Sequence, residues 1–507
     1  MSVISKVIFD FIKTLALIAS VSLVYLLVRY RNRAIGTSTR KDPSFPEIPG
    51  IPIFGNLWSG IYHARRPLEY TTAIGLQHGP GWSFTFPGMR IIDISKPEWI
   101  EYVQKKNFSN FIKGALIHEV MGDVFGDGIF VTDGPQWKTT RQCTSRIFHM
   151  KSFKNIIVPS LHLGLQSLRE TLQYKADQQL DVDFCSIFYK FTLESFVKMT
   201  FNQDLDLLKA ERCPDIHSLS SSTIAFASAF DFSQNQLDWR FAIMNGWSIL
   251  ENKFSSLGNQ MREACKTLDE FVYKLIDERE GEDKTEDPEA RNDLLELFMR
   301  ADDETGTSLK RHELKDAVLN MIIAGRDTTA NITYENYKQY VWTQAVISEA
   351  LRLHPSVAKN MKFAVNHDQI PNGPIIQPGE AVRWSDWQMG RDPRIWGDDC
   401  GEFKPERWID SEGKLKQFGQ FKFHAFNGGP RICLGMNLAM LEAVAVIVEI
   451  LKNFDVEFAP GWLERVPKSN PVPGVKTPYP TPRYKPSLTH PMDQPMMIRP
   501  RGRKGAF

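Results

Sequence analysis

The hydrophobic pattern divides the chain into an apolar leader, a proline-rich passage and a long body dominated by helical periodicity. Thr14 to Val28 is a run of fifteen residues without a charge, about 22 Å long as helix. Extended back to Val7 it reaches 22 residues, or about 33 Å, enough to cross a hydrocarbon core of ~30 Å. The extension takes in Asp10 and Lys13, three apart on one helix face, where they can pair near the interface; Lys13 can also snorkel outward. A cleaved signal peptide carries an apolar run of similar length. However, Val28-Arg29-Tyr30-Arg31-Asn32-Arg33 offers no small-residue cleavage site. Those arginines, with Arg40 and Lys41, bias the following segment to the cytosolic side. Residues 1–33 are expected to be a single-pass anchor with the body facing the cytosol.

Residues 34–56 read as a proline-rich linker. Pro43, Pro46, Pro49 and Pro52 fix φ and restrain their predecessors, which predicts a semi-rigid extended spacer. From 57 to 507 the pattern predicts one mainly α domain with a small β region. Helical spacing is clearest between Ser152 and Arg300, for instance over Met261–Val272, with a charged breaker loop at Glu280–Asp287. Strand-like alternation is confined to Trp82–Phe86, Arg90–Ile94 and Pro374–Val382, and Ser487–Arg499 reads as a closing hairpin.

Composition adds bounds. An apolar fraction of 42% and a charged fraction of 24% belong to an ordinary globular protein. A net charge of +1 gives no global field that would attract nucleic acid, and none is expected as a partner. Six cysteines with no C-x-x-C pair fit a reducing compartment and mostly inert thiols.

Cys433 is the exception. It follows Phe426-Asn427-Gly428-Gly429-Pro430-Arg431-Ile432 and precedes Leu434-Gly435. A thiolate ligand must be ionised near neutrality, which needs donors or positive charge nearby. The glycines let backbone amides approach the sulfur. The apolar helix expected over Leu438–Lys452 places the cysteine at a helix start, where the dipole favours an anion. Arg431 supplies a cation two residues earlier. A lone cysteine is more often a buried hydrophobe; this setting reverses that.

Three further groups stand at readable spacings. Trp137 and Arg141, four apart, share a helix face, so an indole N–H and a guanidinium can grip one carboxylate, although the same spacing also makes an ordinary cation–π pair. Glu349 and Arg352 pair three apart, and Arg407 in Pro405-Glu406-Arg407-Trp408 can complete a carboxylate–guanidinium network; a surface salt bridge is the bland reading. Ala324-Gly325-Arg326-Asp327-Thr328-Thr329 closes the largely apolar run Leu314–Ile323. There Thr328 can bond back to its own helix and open a groove for water, or the pair is merely a solvated turn.

Together these resemble the F-x-x-G-x-R-x-C-x-G, W-x-x-x-R, E-x-x-R and P-E-R-F elements of the cytochrome P-450 superfamily, in the same order, over roughly Pro43 to Arg499. The resemblance implies a cytochrome P-450 fold and a heme-thiolate monooxygenase carrying heme b (iron-protoporphyrin IX), with Cys433 as the iron's ligand. It implies that Trp137, Arg141, Arg431 and Lys362 contact the heme carboxylates, and that Asp327 and Thr328 relay protons as catalytic residues. Trp408 stands where the family usually has Phe. No flavin or nicotinamide motif is present. The expected electron source is therefore NADPH through a separate NADPH-cytochrome P-450 reductase, and the expected location is the endoplasmic reticulum membrane. Lys138, Arg141, Arg146, Lys151 and Lys154 form a basic run that could dock an acidic partner, or equally a solvated basic face.

Gly126-Asp127-Gly128-Ile129-Phe130, His354-Pro355-Ser356-Val357, Met389-Gly390-Arg391 and Ile395-Trp396-Gly397 resemble fungal and plant enzymes that hydroxylate fatty acids and alkanes near the terminal carbon. The lipophilic substrate could also be a sterol or secondary metabolite, and a heme-thiolate isomerase or dehydratase would use the same Cys433. One departure stands out. Only twenty residues separate Thr328 from Glu349, where relatives carry more helix, so a segment near 330–334 looks excised. Either an exon is omitted from an active parent, or this form is impaired.

Overall fold

The computed structural model describes all residues except 1–2, 40–41, 43–44, 65, 148–152, 214–220, 244–245, 282–292, 297, 300–308, 326–336, 469–470, 478–482, 485–491, 493 and 504–507. The chain forms two compact units. The first comprises Met1–Ile112, Lys359–Met389 and Val472–Gly474, and the second Lys113–Ala358, Gly390–Pro471 and Val475–Phe507.

The first unit begins with helix α1 (Val3–Arg29). Its stretch Val7–Arg29, 23 residues with no side chain buried by the protein, is long and apolar enough to cross a membrane. Lys13 lies over the Phe9 ring at 4.4 Å. The unit's core is a five-stranded sheet in the order Gly81–Phe86, Met89–Ile94, Ala381–Ser385, Lys359–Ala364, Phe111–Ile112. The first two form an antiparallel hairpin, and Met89–Ile94 runs parallel to Ala381–Ser385 with Ile91 opposite Ala381.

The strand expected over Arg90–Ile94 forms as Met89–Ile94, and both of its faces are covered: all six residues are buried. The polar positions face charged partners instead of water. Arg90 meets Glu47 at 2.9 Å, and Arg383 meets Asp93 at 2.6 Å. The expected strand Pro374–Val382 divides into two, Ile375–Ile376 and Ala381–Ser385. The proline-rich passage lies along the sheet, with the Ile48 amide donating to the Ser83 carbonyl and the Ser83 amide to that of Pro46.

The second unit is helical. The elements that position the site are α2 (Gly114–Phe125), α3 (Gly134–Ile147), α4 (Phe184–Phe201), α5 (Ser221–Ile243), α6 (Leu257–Gly281), α7 (Arg311–Gly325), α8 (Val341–Leu353) and α9 (Met436–Asn453). α9 buries Leu438, Leu441, Val444, Ala445 and Ile450, a stripe at helical spacing in which each large side chain contributes about 1.5–3 kcal/mol by leaving water. A three-stranded sheet joins Val182–Asp183, Met497–Gly502 and Phe454–Phe458. The closing segment was expected to pair locally. Tyr484 does bridge Met492, but the strand itself reaches back to distant partners, with Arg499 opposite Glu457.

Candidate active site around Cys433

Cys433 stands in the turn that leads into α9, whose N-cap is Gly435. Its amide donates to the Phe426 carbonyl at 2.8 Å, closing the loop on itself. The loop's glycines divide the labour. Gly435 directs its N–H at the sulfur, whereas Gly428 is needed for space, because a Cβ there would lie 2.6 Å from the Phe421 ring.

None of the six cysteines is in a disulfide, and Cys433 is the exposed one. Yet the surrounding protein pushes its thiol up, opposed by the Gly435 amide and the Arg141 charge. Solvent reaches the sulfur while protein crowds around it, so this side chain lines a recess and is not packed in the core. Such a thiol stays protonated at neutral pH until a metal bonds to it and displaces the proton.

A cationic frame surrounds the recess. Arg141 on α3 donates to the Ile432 carbonyl at 2.7 Å, one residue from the sulfur. Arg431 donates to the carbonyls of Ile129 (3.2 Å) and Thr132 (2.7 Å) and to Asp133 (2.8 Å). The buried Trp137 ring faces both guanidiniums, at 4.6 Å from Arg431 and 5.6 Å from Arg141. Asp133 also accepts the amides of Lys113 and Gly114, each at 3.0 Å, which cap the start of α2. It thereby binds a helix end to Arg431.

Lys113 and Asp133 escaped the sequence reading. Asp133 precedes Gly134-Pro135 and reads as a cap for α3; the structure uses it on α2. Lys113 has no motif around it. Burial and the Arg431 charge pull its ammonium down to about 8 against Asp133. Burial likewise brings Arg431 to about 10, with Asp133 opposing and Arg141 adding repulsion. The cations are held together at electrostatic cost.

The neighbouring carboxylate network is complete. Glu349 on α8, fully buried, accepts Arg352 Nε and Nη2 (both 2.7 Å), Arg407 Nε (3.1 Å), the Lys404 amide (2.8 Å) and Trp408 Nε1 (2.9 Å). Arg352 also reaches the carbonyls of Gly390, Cys400 and Glu402. A phenylalanine at 408 could not make the indole bond, so the departure from the family's residue adds a donor.

Of the other expected site residues, Lys362 lies on Lys359–Ala364 in the first unit. It is buried, donating to the Phe111 carbonyl at 3.1 Å and lying 4.4 Å over the Phe108 ring. Asp327 and Thr328 lie outside the described residues, and α7 is described to Gly325. Within the basic run, Lys138 is exposed and Arg141 donates to the cysteine loop, while the side chains of Arg146, Lys151 and Lys154 lie outside the described residues.

The Cytochrome P450 family model matches residues 43–334 and 330–485. The cytochrome P450 monooxygenase cyp1 of Mycosarcoma maydis is 38% identical over 94% of this chain and 78% of its own length. The chain belongs to the cytochrome P450 family. Cytochrome P450 94A1 of Vicia sativa is 28% identical over 80% of the chain and 84% of its own length, and the alkane hydroxylase MAH1 of Arabidopsis thaliana 27% over 84% and 91%.

Cytochrome P450 proteins are monooxygenases that bind heme b and draw electrons from a redox partner. The residues present fit that group. A single thiolate cannot hold a bare ion, which needs about four ligands, so Cys433 suits a metal that brings its own. The crowded cations around Trp137 suit a group bearing carboxylates, which would relieve their repulsion.

Proposed function

We propose that this chain hydroxylates a linear aliphatic substrate, a fatty acid or alkane, at or near its terminal carbon (omega hydroxylation). Its electrons come from NADPH through NADPH-cytochrome P-450 reductase. The observation that carries the catalytic part is the Cys433 recess with its frame of Arg141, Arg431, Lys113 and Trp137. The substrate class is supported by likeness to a relative named an alkane hydroxylase. Residues 1–33 serve as the anchor in the endoplasmic reticulum membrane, with the body on the cytosolic face. The apolar α1 and the arginines Arg29, Arg31 and Arg33 that follow support this reading.

When bound, heme supplies dioxygen activation and transfer of one oxygen atom to carbon. The chain's residues do the remaining work. Cys433 would give its sulfur to the iron, and the Gly435 N–H and Arg141 would moderate the charge on that sulfur. Arg431, Arg141 and Lys113 would hold the carboxylates, and Trp137 would keep the guanidiniums stacked. Thr328 holds a proton on its hydroxyl, and Asp327 resupplies it from water.

A second reading concerns the short passage before α8. The family match breaks into two pieces that overlap at 330–334, which supports a segment omitted there from an otherwise complete parent. Sequencing the transcript across Ala330–Thr333 tests it.

The test of function uses membranes holding the full chain with added reductase. Reduction under carbon monoxide should give the red-shifted Soret band of thiolate ligation, and Cys433→His should lose it. Terminal hydroxylation of linear acids or alkanes of graded length should follow. No band in folded, heme-supplied protein overturns the catalytic reading. A band with products from sterols alone overturns the substrate.

A further inference from the structure

The loop that carries Arg431's two carbonyl acceptors is held by side chains of α7. Asp316 and Asn320, one turn apart, are both buried. Asp316 Oδ2 accepts the Asp127 amide at 3.0 Å. Asn320 Nδ2 donates to the Phe125 carbonyl at 2.8 Å and to the Asp316 carbonyl at 2.6 Å. Both partners of that nitrogen are acceptors, which settles the orientation of the amide. Lys315 pins Asp316 in turn, reaching it at 2.9 Å and Asp269 of α6 at 3.0 Å.

The glycines on either side of Asp127 are cut to fit. A Cβ at Gly126 (φ +53°) would lie 2.1 Å from the Asp316 carboxylate, and one at Gly128 2.1 Å from the Asn320 amide. The loop then turns on itself, with the Val131 and Thr132 amides and the Thr132 hydroxyl all donating to the Gly128 carbonyl. That turn sets the Ile129 and Thr132 carbonyls on which Arg431 hangs.

Asn320 Oδ1 is buried without a hydrogen-bond partner. A leucine would fill this core position with no stranded acceptor. What the amide adds is the bond to Phe125, at the loop's beginning.

We propose that Asp316 and Asn320 are positioning residues for the cofactor frame: they clamp the loop Phe125–Thr132 to α7 and thereby fix Arg431. The helix expected to carry Asp327 and Thr328 is thus joined by hydrogen bonds to the frame beside Cys433. This inference rests on the reading that the Cys433 recess holds heme.

The test measures heme transfer from the full-length holoprotein to an excess of apo-acceptor protein. Asn320→Leu and Gly128→Ala should each speed heme loss roughly tenfold, about 1.4 kcal/mol off the barrier to release. Asn320→Ala should speed loss like Asn320→Leu, and adding Gly128→Ala to it should speed loss no further, because the smaller residue 320 makes room for the new methyl. Val272→Ala, a core truncation on α6, should lower the melting temperature without speeding heme loss. Unchanged loss in both Asn320→Leu and Gly128→Ala, or a double variant equal to the product of its singles, overturns the clamp. Equal acceleration by Val272→Ala also overturns it, since general loosening would then suffice. Wild-type protein run in parallel reports on the underlying reading: if it forms no thiolate band, that reading fails instead.

Discussion

Glu349→Gln removes one charge and almost no volume from the network beside the cysteine loop. In the wild type the carboxylate accepts five N–H groups, from Arg352 twice and from Arg407, Lys404 and Trp408. An amide offers a single acceptor oxygen and turns an NH₂ toward donors that already fill the other side. Arg352, 3% exposed, is left as a buried cation without its carboxylate. Breaking a buried pair from one side costs about 3–5 kcal/mol, a large part of a domain's ~5–15 kcal/mol margin.

Urea titrations of wild type and variant, followed by tryptophan fluorescence, read the difference directly. Acid adds a sign check. Burial pushes the Glu349 carboxyl up most strongly, but the bonds from Arg352, Trp408 and Lys404 together hold it below its ordinary value. Its contribution is therefore complete above about pH 4.3 and fades as pH falls through the lower folded value. The gap between wild type and variant should close on acidification. A loss below about 1 kcal/mol at neutral pH would refute the network's structural role, given the usual cost of breaking such a pair.

Trp408→Phe should destabilise by about 1.5–3 kcal/mol, the worth of a hydrogen bond to a charged group; an unchanged urea midpoint would make the indole a bystander. Lys113 ionises at about 8 in the folded protein, below its ordinary ~10.4. Stability of the heme-free protein should therefore rise between those pH values, and heme affinity should be level below pH 8 and decline above it. Lys113→Arg should remove the decline in spectroscopic heme titrations, and a variant that keeps it would exclude Lys113 as the source. Deleting residues 1–33 should release the protein from carbonate-washed membranes with its carbon monoxide band intact. Persistent membrane attachment would show that α1 is not the main anchor.

The parts of the site that sequence exposed are those whose chemistry is local. The loop before Cys433, the Trp137–Arg141 pair and the Glu349–Arg352 pair each lie within one turn or bend, so spacing alone shows what can meet. Lys113 and Asp133 stayed hidden because their roles depend on Arg431, some three hundred positions away. Gly126 and Gly128 were visible as a motif but not as a fit, since the side chains they accommodate stand on α7. In the fold, α9 came out within two residues of its expected bounds because burial at helical spacing defines it. The strand expected over Arg90–Ile94 came out one residue longer, as Met89–Ile94, with every position buried, which its alternation does not reveal. Alternation reports that two faces differ, and buried charges such as Arg90 and Asp93 differ from their neighbours as much as solvated ones do.

The passage after α1 is sewn to the sheet. Backbone bonds from Gly50 to Asn32, from Ile53 to Tyr30 and from Ile35 to Ile53 fold it on itself, and bonds from Ile48 to Ser83, from Ser83 to Pro46 and from Asn56 to Thr85 join it to the strand Gly81–Phe86. A loose leash would let its cargo tumble and sample every height above the lipid. A graft of this kind transmits the tilt of the membrane helix to the sheet it joins. The face that this unit turns toward a redox partner is then set by the helix it is grafted to, and tumbling of the sheet about a loose tether contributes little.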